Sequence, residues 1–228
     1  MAFRDDNRGV TVQIGAVLLL GFLVVSLSLY QATVVPAENQ QVEFEHNQRV
    51  QADLVELRNA ILGTGTTGTA APVAVELGTR YPSRTVAVNP GPPGGTLSTS
   101  ALGAIEVRNA TADDTATPGV DYPETADFWN GTTHSYETRA LSYQPSYANY
   151  VTAPTTVYEN GLVYNRFDSG TVVQTGQPIV AGNRISLVTL SGNLCSDKKP
   201  AAINAVEGRG RTVTADVAVP REVVEERL

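Results

Sequence analysis

Cysteine occurs once in this 228-residue chain, at Cys195, tryptophan once, at Trp129, and lysine only at Lys198 and Lys199. One cysteine excludes an intramolecular disulfide, so a folded domain must be held by its core, and Cys195 itself reads as a small packed apolar residue. Scarce lysine and a net charge of −7 leave no clustered basic surface for phosphates, which excludes nucleic acid as a partner. Histidine is limited to His46 and His134, and no G-x-S-x-G, H-E-x-x-H, P-loop or dinucleotide fingerprint is present. The expectation is therefore no catalytic residues, no cofactor, no bound metal and no enzyme. Asp113, Asp114, Asp121, Glu124 and Asp127 are acidic enough to attract Ca²⁺, but their spacing matches no EF-hand loop and reads as a solvated surface.

What the chain does have is a long apolar run. No charged residue stands between Gly9 and Ala37, and Val10 to Tyr30 is long enough as a helix to cross a hydrocarbon core of ~30 Å. Arg4 and Arg8 precede the run, while the first charges after it are Glu38, Glu43 and Glu45, so counting Arg and Lys puts the N-terminus inside and the remainder outside the cell. Three readings apply: a signal peptide cut after Val35-Pro36-Ala37, an uncut signal anchor, or a segment whose short leader is removed on the cytoplasmic side.

Downstream, Val50, Leu54, Leu57 and Ile61 are spaced by four, three and four, one apolar stripe of an amphipathic helix that Gly63 ends near Leu62. Pro36 predicts a kink between the two helical stretches. Beyond Gly63 the pattern alternates, predicting strands at Val73 to Leu77, Arg84 to Asn89, Ala104 to Arg108, Tyr136 to Tyr143, Thr171 to Gln174, Arg184 to Leu190 and Thr212 to Val219. Asn160-Gly161 supplies the two positive-φ positions of a type I′ hairpin within Thr155 to Phe167. Asn89 to Ser100 and Asn109 to Asp127 read as loops. The expected fold is α+β: a long N-terminal membrane and stalk helix kinked near Pro36, then a mainly antiparallel, sandwich-like head. Its expected parts are a leader at 1–9, a membrane helix at 10–35, a stalk helix at 36–62 and an extracellular head at 63–228.

Asn109-Ala110-Thr111 and Asn130-Gly131-Thr132 are N-glycosylation sequons, making Asn109 and Asn130 acceptor candidates. Tyr136, Tyr143, Tyr147, Tyr150, Tyr158 and Tyr164, with Phe128 and Trp129, read first as core and sheet-face packing, and otherwise as a contact surface.

Arg8-Gly9 followed by Val10-Thr11-Val12-Gln13-Ile14-Gly15 resembles the class III signal sequence of type IV pilins, most closely those of haloarchaea, and the low lysine content resembles that of salt-loving archaea. The stretch YQPSYANYVTAPTTVYENGLVYNRF looks like haloarchaeal pilin-like heads, a likeness that implies a final helix, whole or truncated, at Glu222 to Leu228. The resemblance implies cleavage by a prepilin peptidase between Gly9 and Val10, with Arg8 in its recognition sequence. It also implies assembly with other pilin-like subunits through the helix carrying Gln13, Ile14, Gly15 and Gly21, Ile14 standing where bacterial members have a glutamate. The implied function is a structural, minor subunit of a surface pilus used in adhesion; the alternative is a non-polymerising signal-anchored extracellular binding domain.

Overall fold

The structure is a computed structural model that describes residues 8–67, 71–112, 123–182, 184–197, 201–205 and 213–216. Helix α1 (Arg8–Leu29) passes through a π-helical turn (Tyr30–Val34) into α2 (Val35–Thr67). The α1 run contains no proline, and its large apolar residues point outward, with Leu19 and Phe22 71% and 74% exposed. It is one helix long and apolar enough to cross a membrane.

The irregularity expected near Pro36 is the π-turn just before it. Proline lacks an N–H, and its ring crowds the carbonyl four residues back; widening the preceding turn, with the Val35 N–H donating to the Tyr30 carbonyl, accommodates both without breaking the helix. α2 also runs past the predicted stop at Leu62 to Thr67. Its last turns stay against the head, with Ile61 partly buried and Thr64 buried, so packing outweighs the two glycines.

The head is built on a six-stranded antiparallel sheet in the order β6-β5-β4-β3-β2-β9. Its strands are β2 (Gly94–Val107), β3 (His134–Ser146), β4 (Thr155–Glu159), β5 (Leu162–Phe167), β6 (Gly170–Val173) and β9 (Cys195–Asp197). β1 (Ala71–Val75) pairs with β10 (Ala201–Ala205), and β11 (Val213–Asp216) with β8 (Arg184–Leu187), which also pairs with β7 (Val180–Ala181). A short helix, α3 (Pro123–Phe128), precedes β3. The core joins Val50, Leu54 and Leu57 of α2, Val73, Val75 and Leu77 in and after β1, and Leu97, Leu141, Tyr143, Tyr158 and Val163 of the large sheet. The expected sandwich is thus replaced by helix-on-sheet packing, because the α2 stripe supplies the second apolar layer.

Other differences have local causes. Arg84 to Asn89 is a loop, tied by its own side chains: Arg84 Nε donates to Asn89 Oδ1 at 3.0 Å and Asn89 Nδ2 to the Pro82 carbonyl at 2.8 Å. The loop predicted at Asn89 to Ser100 turns into β2 at Gly94. A Cβ on Gly95 would lie 2.5 Å from the Gln144 carbonyl oxygen and 2.5 Å from the Tyr143 ring, so glycine here permits close strand contact rather than a turn. The Asn160-Gly161 hairpin forms as predicted, with φ of 47° and 84° and Glu159 opposite Leu162. Thr212 and residues 217–219 of the last predicted strand, and the predicted helix at Glu222 to Leu228, lie outside the described residues.

Candidate functional site

The stripe of α2 continues towards α1 as a buried polar face: Asn39, Glu43, His46 and Asn47 are each at most 1% exposed. Helical spacing of three and four places them in line with Val50, Leu54 and Leu57. Buried polar groups need partners, and the head supplies them for Asn39, Glu43 and His46, whereas Asn47 Oδ1 accepts from Gln51 within α2 and its Nδ2 has no hydrogen-bond partner among the described residues. The Glu43 carboxylate accepts hydrogen bonds from the backbone N–H groups of Ala148 at 2.9 Å, Asn149 at 2.8 Å and Tyr150 at 2.5 Å. It also accepts from Asn149 Nδ2 at 3.2 Å and from the Tyr81 hydroxyl. Burial pushes the Glu43 carboxyl up, but the bonds from Tyr81, Tyr150, Ala148 and Asn149 outweigh it and hold the group below its ordinary value.

His46 bridges two parts of the head. Its Nε2 lies 2.9 Å from the Glu76 carbonyl, which only accepts, so Nε2 carries the proton and Nδ1 accepts from the Tyr147 hydroxyl at 2.6 Å. Burial lowers the imidazole pKa and raises that of Tyr147 to about 12, keeping the first neutral and the second a donor. The cluster fastens the β3–β4 connection and the segment after β1 to α2.

A second set lies nearer α1. The guanidinium of Arg84, whose side chain is 8% exposed, pairs with Glu38 and donates to the Tyr30 hydroxyl at 3.1 Å and Asn39 Oδ1 at 3.1 Å. Gln31 Nε2 donates to the Val88 carbonyl at 2.9 Å, and the Val88 N–H donates to Gln31 Oε1 at 2.9 Å. Sequence reasoning missed these residues: hydrophobic periodicity does not report a buried face that is polar, even though Asn39, Glu43 and His46 continue the α2 stripe at the same spacing.

Arg8, Gly9 and Val10 form the first turn of α1, and Gln13, Ile14, Gly15 and Gly21 follow on its exposed surface. Asn109 and Asn130 are exposed and brought together by an isolated bridge, Thr111 to Asn130, with the Gly131 N–H donating to the Ala110 carbonyl at 2.9 Å. Asp113, Asp114 and Asp121 lie outside the described residues; Glu124 and Asp127 are exposed on α3. Among the described residues no group of three His, Cys, Asp or Glu could hold a metal ion. Of the aromatics, Tyr143 and Tyr158 are core, Tyr147 and Tyr150 stack, and His134 stacks on Phe128 with centroids 4.3 Å apart. Cys195, expected to be packed, is exposed in β9, next to the end of the described stretch.

The described chain is thus an α+β protein with one apolar N-terminal helix and an antiparallel head locked to it by buried polar groups. The hydroxymethylglutaryl-coenzyme A reductase family profile matches residues 173–228. The 3-hydroxy-3-methylglutaryl-coenzyme A reductase of Haloferax volcanii is 80% identical over 50 residues, 22% of this chain and 12% of that protein. That of Halobacterium salinarum is 83% identical over 42 residues, 18% of this chain and 10% of its own length. An uncharacterised protein of Archaeoglobus fulgidus is 25% identical over 229 residues, covering 97% of this chain and 36% of its own. No solved structure matches. The chain thus spans about a tenth of the length of the reductases it matches.

These findings correct the resemblance drawn from the N-terminus. The family that matches is a reductase and not a pilin, so a pilus subunit acting in adhesion, with a prepilin peptidase and other pilin-like subunits as partners, is withdrawn together with the alternative of an extracellular binding domain. The same match overturns the expectation of a non-enzyme. That expectation rested on scanning for short motifs, none of which covers this reductase chemistry.

Proposed function

We propose that the chain is part of a membrane-anchored protein related to 3-hydroxy-3-methylglutaryl-coenzyme A reductase, in which α1 is the anchor and residues 173–228 contribute to binding the coenzyme A thioester. The carrying observation is the 80% identity over 50 residues with a reductase of that name. Charge supports it. Residues 173–228 hold seven of the sixteen basic residues, including both lysines, and six of the twenty-three acidic ones, a net of +1 against −8 for residues 1–172. Coenzyme A carries phosphates, and Lys198, Lys199, Arg209 and Arg211 are cationic side chains of the kind that receive them.

A stretch equal to 12% of a reductase is too little chain to enclose a substrate and perform its reduction, so activity belongs to a larger whole. Reduction also needs a hydride donor. The described strands β7 to β9 carry no glycine-rich strand-to-helix turn that would cradle a dinucleotide, so no step through such a donor is assigned to this chain.

This reading needs residues 173–228 on the cytoplasmic side, since a polyanionic thioester made there does not cross a bilayer. The arginine flank, Arg4 and Arg8, favours the opposite, an outward head, so the proposal requires an inversion of that bias. Because the chain has no other lysines, acylation by a lysine reagent reports on Lys198 and Lys199 alone once the N-terminal amine is accounted for. With the full chain in nanodiscs, 3-hydroxy-3-methylglutaryl-coenzyme A is expected to slow their modification about tenfold, read by peptide mass spectrometry. Equal rates with and without the thioester contradict the proposal.

A further inference from the structure

The loop between Tyr81 and Pro93 presents Val86 and Val88 outward, 71% and 76% exposed, while Arg84 and Asn89 turn inward to Glu38 and Asn39. Its backbone is fixed to the end of the apolar helix through the paired Gln31–Val88 hydrogen bonds and the Arg84–Tyr30 contact. Gln31 lies seven residues before Glu38, the first charge after the run, which at 1.5 Å per residue puts Val88 level with a point about 10 Å on the membrane side of that charge. Tyr30 and Arg84 are residue types that sit at the headgroup level, and pairing with Glu38 neutralises the Arg84 charge where lipid is near.

We propose that the Val86–Val88 tip is a second membrane contact, inserted into the headgroup and upper acyl region of the bilayer that α1 crosses. It rests on the reading of α1 as the anchor. A bare apolar tip tied to a helix exit has the bilayer as its occupant because the tether fixes its depth, whereas another protein surface would have to fit into the same interfacial layer.

The test uses the full chain with Cys195→Ser, reconstituted in phosphatidylcholine–phosphatidylglycerol nanodiscs and labelled with an environment-sensitive dye at single cysteines introduced as Val86→Cys, Val88→Cys, Leu20→Cys or Val172→Cys. These positions are all exposed, so the labelled chains should keep the fold, which far-ultraviolet dichroism checks. Nitroxide lipids labelled near the headgroup are expected to quench dyes at positions 86 and 88 at least about twofold more than the dye at position 172, while deep nitroxides quench position 20. Positions 86 and 88 matching position 172, with position 20 quenched, overturns the second contact and leaves the anchor standing. Blue-shifted but unquenched dyes at 86 and 88 mean that a second copy or another protein covers the tip, which also overturns it. Loss of quenching at position 20 overturns the anchor itself.

Discussion

At the scale of single residues, the joint between helix and head depends on Glu43, whose carboxylate satisfies three successive backbone N–H groups. Glu43→Gln keeps the shape but replaces one acceptor oxygen with a donor facing N–H groups. It is expected to cost about 2–3 kcal/mol in a denaturant titration of the detergent-solubilised chain. The pH dependence follows from the directions of the shifts. Glu43 titrates lower in the folded state than its ordinary 4.5, so its contribution is complete above that value and is lost as pH falls through the folded value. His46 titrates below its ordinary 6.5, so the folded state binds its proton less readily and stability declines as pH falls below 6.5. Stability measured from pH 8 down to about pH 2 should therefore fall in two stages, one below 6.5 and one below 4.5, and His46→Gln should flatten the first while leaving the second. Neither role was legible in sequence: Glu43 reads there as one of several solvated glutamates, because nothing local reveals that residues 148–150 fold over it.

At the scale of elements, α2 was readable where its face is apolar and unreadable where the same face is polar. Periodicity found Val50, Leu54 and Leu57, all buried as expected, since hydrophobic spacing reports burial directly. It passed over Asn39, Glu43 and His46, whose burial depends on partners distant in the chain. The hairpin at Asn160-Gly161 was legible because a type I′ turn demands residues that tolerate positive φ. Gly94-Gly95 misled for the converse reason: a glycine chosen for close strand contact looks like a glycine chosen for a turn. Two substitutions test these assignments. Leu54→Ala, in the fully buried stripe, should destabilise by about 2–5 kcal/mol. Gly95→Ala should cost about 1–3 kcal/mol, because the new Cβ meets the Gln144 carbonyl oxygen, a backbone atom that cannot rotate away. Calorimetric or denaturant midpoints read both.

At the scale of the whole molecule, the apolar N-terminal helix was plain from composition, whereas the reductase relationship of residues 173–228 was not. Its described part consists largely of short strands, which carry no periodic signature of a chemistry, and the segment's basic residues were averaged into an acidic chain. The lysine pair at Lys198 and Lys199 was visible as the chain's only lysines and was read as a trace of composition rather than as the mark of a segment different in kind. The joined reading, an anchor with a thioester-binding segment, makes its sharpest demand on topology. Cys195 is the single cysteine, is exposed, and lies within the matched segment, so a membrane-impermeant maleimide applied to intact cells reports which side that segment occupies. The expected result is no labelling until the cells are permeabilised. Full labelling of Cys195 on intact cells, or glycans found on Asn109 or Asn130, would place the segment outside, away from coenzyme A thioesters, and contradict the proposed function.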